Sequence, residues 1–311
     1  MKPPRAARNP LTISRRDFLA RTAAASSLAM AGCLSSVAAE FSPPIVVFSK
    51  VYQTLHLNFD DAASVTAEAG LNGIDLPLRD GGEITPERAG DGLPKYSEAL
   101  RKRGLQLPLL TTGIISTSSP HAEEILRTAK KLGVQFYRVG FNEKQSDTPV
   151  EKQIAEAKAR LKDLAAMNKE LGIGGLVQNH SPSGHSYLGG DLKELEQLVE
   201  DLPPDQMGVA FDIGHALIVH KDGWRPHFEK LKSHLKIAYI KDAKNDGRWV
   251  PFGEGDIGKV GYFKLLKEIG YHAPLSLHME YDWANRKPTR ERLVKAMKDS
   301  AGIVRGWLRD A

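Results

Sequence analysis

Ionisable side chains follow three short apolar runs of this 311-residue chain, and their types are those that move protons and bind cations. The runs "GGLVQNH", "GVAFDIGH" and "LSLHMEYD" end in Gln178 and His180, in Asp212 and His215, and around Glu280. Charged groups at the end of an apolar run lose hydration unless a substrate, an ion or a partner compensates. These residues therefore predict a site for acid–base or cation-assisted chemistry.

Eight apolar runs alternate with helical segments from residue 44 onward, which predicts right-handed crossovers and a parallel sheet. Eight such units in about 270 residues match a single (β/α)8 TIM barrel. An open doubly wound sheet is the alternative, but no G-x-G-x-x-G turn follows the first run. The predicted strands are 44–52, 73–79, 105–113, 134–141, 173–180, 207–215, 235–243 and 274–282.

A closed barrel brings the polar residues at the carboxyl ends of its strands into one mouth. Five of these residues are predicted to bind the substrate: Arg79, Glu143, His278, Trp249 and Trp283. Arg138, Tyr239 and Lys241 also lie at predicted strand ends. His185 lies on a Gly/Ser-rich loop, for which a role as a lid over the mouth is a hypothesis.

The N-terminal stretch "ISRRDFLARTAAASSLAMAGC" resembles a twin-arginine export signal, because Arg15 and Arg16 precede Phe18-Leu19 and a small, weakly apolar run. The prediction is a signal peptide at 1–39, a barrel domain at 40–311, and a periplasmic or extracytoplasmic protein exported by the twin-arginine translocase. Lipid anchoring at Cys33 is the alternative to cleavage after Ala39. The signal run is too short for a convincing membrane span, so the mature chain is predicted to have none.

The formal charge of +5 lies in this N-terminal stretch. Residues 1–39 hold six basic side chains and one acidic one, so the remainder carries 37 of each. A neutral body lacks the basic surface that phosphate neutralisation requires, which argues against a nucleic acid partner. Cys33 is the only cysteine, so the mature chain has no disulfide or thiolate chemistry.

Four segments in order resemble the xylose isomerase-like barrels, the sugar phosphate isomerase/epimerase superfamily. "GVAFDIGHA" is similar to the D-x-x-H signature of that family, and "AYIKDA" to its H-x-K-D. "VPFGEGDIGKVGYFKLLKEIGY" resembles its G-E-G-x-I loop, and "LSLHMEYD" its last strand tip. "GGEITPER" (81–88) looks like a loop of exported members. A repair endonuclease of the related endonuclease IV group is a further alternative, and the export signal and the neutral body both argue against it.

The resemblance implies one divalent ion, Mn²⁺, Co²⁺, Mg²⁺ or Zn²⁺, held by Glu, Asp, His and Glu. The corresponding residues are Gln178, Asp212, Tyr239 and Glu280, of which only Asp212 and Glu280 match. Gln178 keeps an oxygen ligand without a charge, and a neutral tyrosine is a poor ligand. The predicted metal ligands are therefore Gln178, Asp212 and Glu280, with His180 or His215 as a fourth.

The resemblance also implies an isomerase or epimerase that moves a proton beside the carbonyl of a sugar or keto-sugar through an enediolate. Glu280 with His180 or His215 is predicted to move the proton, and Lys241 to stabilise the oxyanion. Because two ligand positions differ, two alternatives remain open: a lyase or hydratase on a 3-keto-glycoside, and a non-catalytic sugar-binding barrel. An oligomer is also left open.

Overall fold

The computed structural model describes residues 41–281 and 289–311. The predicted signal at 1–39, with its twin arginine and Cys33, lies outside the described residues, and so does Trp283. Within the described part of the chain, no helix is long and apolar enough to cross a bilayer.

Eight parallel strands pair in chain order and form a closed barrel. The barrel closes between the first and last strands, where Val46 is the partner of Ser276. This closure confirms the predicted (β/α)8 fold, and the open doubly wound sheet is wrong. The strands are Ile45–Phe48 (β1), Gly73–Leu78 (β2), Gln106–Thr112 (β3), Phe136–Arg138 (β4), Gly174–Gln178 (β5), Met207–Asp212 (β6), Leu235–Ile240 (β7) and Leu275–Leu277 (β8).

Helices cover the outside of the barrel and pack their apolar faces on the strands. The helix Val150–Leu171, for example, is followed by Gly172 as its C-terminal cap, whose φ of 69° is a left-handed conformation that glycine adopts without strain. The helices are Phe59–Glu68 (α1), Ala89–Arg101 (α2), Ala122–Lys131 (α3), Val150–Leu171 (α4), Leu192–Val199 (α5), Ile213–His220 (α6), Trp224–Leu231 (α7), Tyr262–Glu268 (α8) and Arg290–Arg309 (α9).

Several predicted strands continue beyond their true ends. The first was predicted to reach Tyr52, but β1 ends at Phe48 and a 3₁₀ helix follows over Ser49–Leu55. Val51 and Tyr52 are buried in that helix, so their apolar character reflects packing of a helical turn. The sixth strand was predicted to reach 215, but β6 ends where Asp212 caps α6. The corrections matter because they place Lys50 in a 3₁₀ helix at the mouth and His215 in the first turn of α6.

The interior of the barrel is filled by a small apolar cluster of Leu109, Leu176, Ala210, Ile237 and Tyr239, all fully buried. The cluster closes the barrel below the carboxyl ends of the strands, as expected for side chains that point inward from neighbouring strands. The barrel is therefore closed below the mouth, and charged groups at the mouth lie above a buried interior, where electrostatic interactions are strong.

Asp242, directly after β7, organises the G-E-G loop. Its carboxylate accepts hydrogen bonds from the backbone N–H groups of Gly253 at 2.8 Å, Gly255 at 3.0 Å and Ile257 at 3.3 Å. A Cβ on Gly255 would lie 2.1 Å from the Asp242 carboxylate, so only glycine fits there. Glu254 of the same loop is exposed. Asp242 thus holds the G-E-G loop in place beside the mouth, and its carboxylate oxygens are used in these hydrogen bonds.

Another carboxyl, the half-buried Glu83, lies in the loop after β2. It accepts hydrogen bonds from Ser49 Oγ and, at 2.9 Å, from Tyr96 Oη. Burial raises the pKa of Glu83 to about 7, more than these hydrogen bonds lower it. Since the pKa in the folded state lies above the unfolded value, the protonated carboxyl stabilises the fold, and this stabilisation is lost as pH rises from about 4.5 through about 7.

We expect Glu83→Gln to remove this pH dependence. The wild type should lose about 1 to 3 kcal/mol of unfolding free energy between pH 5 and pH 8 relative to the variant, since one pKa unit corresponds to about 1.4 kcal/mol. Urea unfolding at the two pH values measures the difference. Glu87→Gln, at an exposed position of the same loop, is the matched control and should behave as the wild type. A wild type with the same pH slope as Glu83→Gln would contradict the expectation.

Candidate active site

A cavity of 220 Å³ opens at the carboxyl ends of the strands. Residues from seven of the eight strand ends reach it, as the barrel architecture requires of a site at this face. Its lining consists of Phe48, Lys50, Arg79, Thr111, Arg138, Phe141, Gln178, His180, Ser183, Tyr187, Lys241, His278 and Glu280.

Six of the site residues predicted from the sequence line this cavity, and the other four that the structure describes do not. Asp212 and His215 lie buried behind the lining and contact it through Gln178 and Lys241. Trp249 lies next to Lys241 and His215, outside the lining. The exposed Glu143 pairs with His185. The six that line the cavity are Arg79, Gln178, His180, Lys241, His278 and Glu280.

Gln178 and Asn179, at the end of β5, link that strand to the end of β6. The Asn179 side chain donates to the backbone carbonyl of Asp212 and accepts from its N–H, both at 2.8 Å. The Asp212 carboxylate caps α6 through the N–H of His215 at 3.1 Å and accepts from Gln178 Nε2 at 3.3 Å. Asn179 and Asp212 are fully buried. The two residues therefore fix the backbone from which His180 and His215 project.

His180 presents a free ring nitrogen to the cavity. Its Nδ1 lies 2.7 Å from the carbonyl oxygen of Ser181, so Nδ1 carries the donated hydrogen and Nε2 keeps a lone pair. Among the described residues, Nε2 has no hydrogen-bond partner. Burial, and then the charge of Lys241, lowers the pKa of His180 below its usual value. The ring is therefore neutral at pH 7 and able to accept a proton.

His215 differs from His180, because protein groups contact both of its ring nitrogens. Nδ1 accepts from the backbone N–H of Ser181 at 3.1 Å, and Nε2 lies 3.0 Å from Lys241 Nζ. Burial and the charge of Lys241 hold the pKa of His215 well below its usual value. The two imidazoles stack with ring centroids 3.8 Å apart. His215 thus supports His180 and Lys241 from behind.

Lys241 is a buried cation at the edge of the cavity, with 2 % of its surface exposed. Its Nζ contacts the Glu280 carboxylate and lies 4.5 Å from the Trp249 ring centroid. The other Glu280 oxygen is 3.4 Å from Lys50 Nζ. Burial acts to raise the pKa of Glu280, but the charges of Lys241, His278 and Lys50 outweigh it and hold that pKa well below its usual range. Glu280 is therefore an anion that positions ammonium groups.

The residues at the four positions implied by the family resemblance do not fit a divalent ion. The Asp212 oxygens accept from N–H donors, and the Glu280 oxygens contact the ammonium groups of Lys241 and Lys50. Burial raises the pKa of Tyr239 well above its usual value, so its phenol stays neutral. The described residues contain no group of three or more His, Cys, Asp or Glu side chains arranged to hold a metal. A lysine ammonium lies beside Glu280 instead.

Lys50, Phe141 and Tyr187 line the cavity although the sequence interpretation did not select them. Lys50 was hidden because the apolar run appeared to continue as a strand through Tyr52. Phe141 and Tyr187 stack with centroids 4.5 Å apart and pack edge-on against His180. In the sequence, each of these two residues is only an aromatic side chain in a segment that follows a strand. Such residues are too common to indicate a site.

Residues 63–301 match the xylose isomerase-like TIM barrel family, so the chain belongs to that family. Among curated relatives, an uncharacterized protein of Methanocaldococcus jannaschii, MJ1311, is 30% identical over 122 residues. That similarity covers 38% of this chain and 40% of the relative, so the chain spans well under half the length of the curated relative that it matches.

Solved structures share the fold at low sequence identity. A 3-keto-D-glucoside 4-epimerase from E. coli has a TM-score of 0.64 and 15% identity, with 87% of this chain and 100% of the other covered. A D-psicose 3-epimerase from Clostridium cellulolyticum H10 has a TM-score of 0.67 and 13% identity, with 85% and 99% covered. At such identities the likeness shows the barrel and leaves the reaction to be argued from the site.

Proposed function

We propose that this protein is a sugar isomerase or epimerase that moves a proton beside the carbonyl group of a keto-sugar. One observation carries the proposal: His180, whose Nε2 has no hydrogen-bond partner among the described residues, and Lys241 line the same small cavity. A base and a fixed cation are what enediolate chemistry needs. Membership of the xylose isomerase-like family supports the sugar as the substrate class.

In the proposed reaction, His180 Nε2 removes a proton from the carbon next to the carbonyl. The electrons of the broken C–H bond form a C=C bond, and the carbonyl oxygen becomes an enediolate oxygen. Lys241 donates a hydrogen bond to that oxygen, because it is already held in place by Glu280 and no solvent reorganisation is required. The imidazolium of His180 then delivers the proton to the former carbonyl carbon, while the hydroxyl proton of the neighbouring carbon passes to the enediolate oxygen, so the carbonyl group moves by one carbon and the neutral base is restored.

The proposal gives Glu280 a different role from the one implied by the resemblance. Because nearby cations hold its pKa well below the usual range, Glu280 is a weak base at neutral pH. It positions Lys241, while His215 supports both Lys241 and the His180 ring. Asp212 and Gln178 hold the ends of β5 and β6. No step of this proposal uses a divalent ion, because the donor set does not fit one.

A lyase or hydratase is the second candidate, and one feature of the site favours it. Two residues of the described lining, His180 and His278, have an Nε2 without a hydrogen-bond partner, but Nε2 of His278 is buried and lies 3.8 Å from the Asp75 carboxylate, which leaves His180 as the proposed single base. Epimerisation usually needs bases on both faces of the substrate, whereas β-elimination of water needs one base and a leaving group. Proton removal is the same in both reactions, and the fate of the enediolate separates them.

Export forms part of the proposal as well. The twin-arginine pattern at residues 15–19 supports export from the cytoplasm, with the enzyme either free after cleavage at Ala39 or anchored at Cys33.

Solvent-deuterium incorporation tests the proposed function. The protein is incubated in D₂O with ketopentoses, ketohexoses and 3-keto-glycosides, and proton NMR follows the signal beside each carbonyl. The expected result is loss of that signal, with a new epimer or aldose for the isomerase and an unsaturated product for the lyase. Tight binding without exchange in any of these sugars would reject an enzyme and support the non-catalytic sugar-binding barrel.

A further inference from the structure

The charges that line the cavity are unbalanced. Four cationic side chains and a single carboxylate belong to its described lining. Glu280 is shared by Lys241 and Lys50, which leaves the two arginines of the lining, Arg79 and Arg138, without a carboxylate partner there. An excess of fixed positive charge in a small recess attracts an anionic ligand.

Arg138 is buried and charged, and its hydrogen-bond partners among the described residues are neutral. Its guanidinium donates to the carbonyls of Val139 at 2.7 Å and Thr112 at 3.4 Å, and it lies 4.3 Å from the Phe141 ring centroid. Burial lowers the pKa of Arg138 to about 10, so the group stays charged at neutral pH. A buried cation that is solvated only by dipoles is a costly arrangement, and an anion in the cavity would compensate it.

Arg79 is half-buried, and although its backbone pairs with Ile84 and Gly82, its guanidinium makes no hydrogen bond to any described residue. Its guanidinium lies 6.0 Å from the Phe48 ring centroid, at the rim of the same cavity. Other arginines of this chain do pair with carboxylates, as Arg101 does with Glu98 and Arg290 with Glu68. A free, planar fork of N–H donors at a cavity rim has the geometry that pairs with a carboxylate or a phosphate.

The carboxylates nearest to the arginines are used elsewhere. Asp75 is fully buried behind the lining, where its oxygens accept from the hydroxyls of Thr111 at 2.7 Å and Ser276 at 3.1 Å. Glu143 lies outside the lining with His185. Among the described residues, neither carboxylate forms an ion pair with Arg79 or Arg138.

We propose that the substrate is an acidic sugar, a keto-sugar that carries a carboxylate, and that Arg79 binds this carboxylate with Arg138 and Lys50 behind it. The inference rests on the proposed function, since it names the class of keto-sugar on which His180 and Lys241 act. A phosphate offers the same chemistry to arginine, and matched probes distinguish the two anions.

The test compares three ketoses that differ only at carbon 6: D-fructose, D-fructuronate with a carboxylate there, and D-fructose 6-phosphate. Calorimetry on the mature chain measures the affinity of each. The expected result is binding of D-fructuronate at least about tenfold tighter than D-fructose, a preference that weakens as salt is added. Arg79→Gln should abolish the preference, whereas Arg88→Gln, at an exposed position of the same loop, should keep it.

Each other outcome overturns the inference. A preference for the phosphate alone overturns the carboxylate as the ligand. The anion site itself is overturned by equal affinities for the three sugars, by no binding of either anion at millimolar concentration, or by an Arg79→Gln variant with unchanged preference. Deuterium exchange on the same three sugars is recorded separately. Exchange without a charge preference would keep the proposed function and remove the acidic substrate. Arg79-dependent binding of the acid with no exchange in any of the three would keep the anion site and count against the enzyme.

Discussion

Replacing Lys241 by methionine is expected to slow deuterium exchange by at least about 100-fold, the loss seen when one preorganised donor to an oxyanion is removed. Methionine keeps most of the volume and the packing on Trp249 but removes the ammonium beside Glu280. The pKa of Glu280 should also rise, because the charge of Lys241 is the leading influence that lowers it against burial. Proton NMR in D₂O measures the exchange on the best substrate found.

Lys236→Met is the matched control, because Lys236 lies on the same strand at the opposite end of the barrel. It should exchange at the wild-type rate. Since Lys241→Met leaves a carboxylate with Lys50 as its one remaining ammonium partner among the described residues, its folding is checked by thermal unfolding before rates are compared. A folded Lys241→Met protein that exchanges at the wild-type rate would contradict the proposed role of the ammonium.

Replacing His180 by asparagine is expected to lower the exchange rate about 100- to 10,000-fold, the range that a positioned general base supplies. The amide can still donate to the Ser181 carbonyl, so the loop is preserved while the basic Nε2 is lost. The pH profile of the wild type offers a second readout. Burial lowers the pKa of His180, so the base stays unprotonated and the rate should hold to a pH below the usual value for histidine.

His185→Asn serves as the control for this variant. His185 belongs to the same loop and is exposed, with Glu143 as its partner, so the substitution should leave the rate and the pH profile unchanged. Loss of activity in His185→Asn equal to that in His180→Asn would move the base to the loop or assign the loop a closing role. Full activity in His180→Asn would exclude it as the base.

The barrel could be predicted because its signal is repeated. Eight apolar runs at regular spacing can be stacked in few ways, and an error of several residues in one strand leaves the count and the topology unchanged. The run 44–52 shows this: the strand ended at Phe48, yet the fold was unaffected. The same error hid Lys50, because a residue assigned to a strand interior is not examined as part of a mouth.

The site was harder to predict, because position near a strand end does not give the direction of a side chain. Arg79 and His278 line the cavity, whereas Trp249 lies beneath Lys241 and Glu143 points to His185. The backbone of Ser181 contacts Nδ1 of both histidines, with its carbonyl at His180 and its N–H at His215, and this difference sets which ring nitrogen carries the hydrogen. Such contacts depend on the exact backbone course after β5, which the types of residue do not specify.

The role of the Gln178 and Tyr239 positions also required the structure. From the sequence, they weakened an expected metal site without replacing it. The ammonium groups of Lys241 and Lys50 both lie beside the Glu280 carboxylate, so the chain itself supplies positive charge at this position. A lysine ammonium does not need the charged ligands that a metal ion needs. Gln178 and Tyr239 can therefore occupy the positions at which the family resemblance implies a glutamate and a histidine.

The most direct test is to measure exchange and metal content on the same sample. The mature chain is purified with a chelator, its divalent ions are counted by elemental analysis, and deuterium exchange is measured before and after adding Mn²⁺ or Zn²⁺. The account predicts far less than one ion per chain together with full exchange that added metal does not raise. About one ion per chain, with exchange lost on chelation and restored by metal, would contradict the assignment of Lys241 as the resident cation.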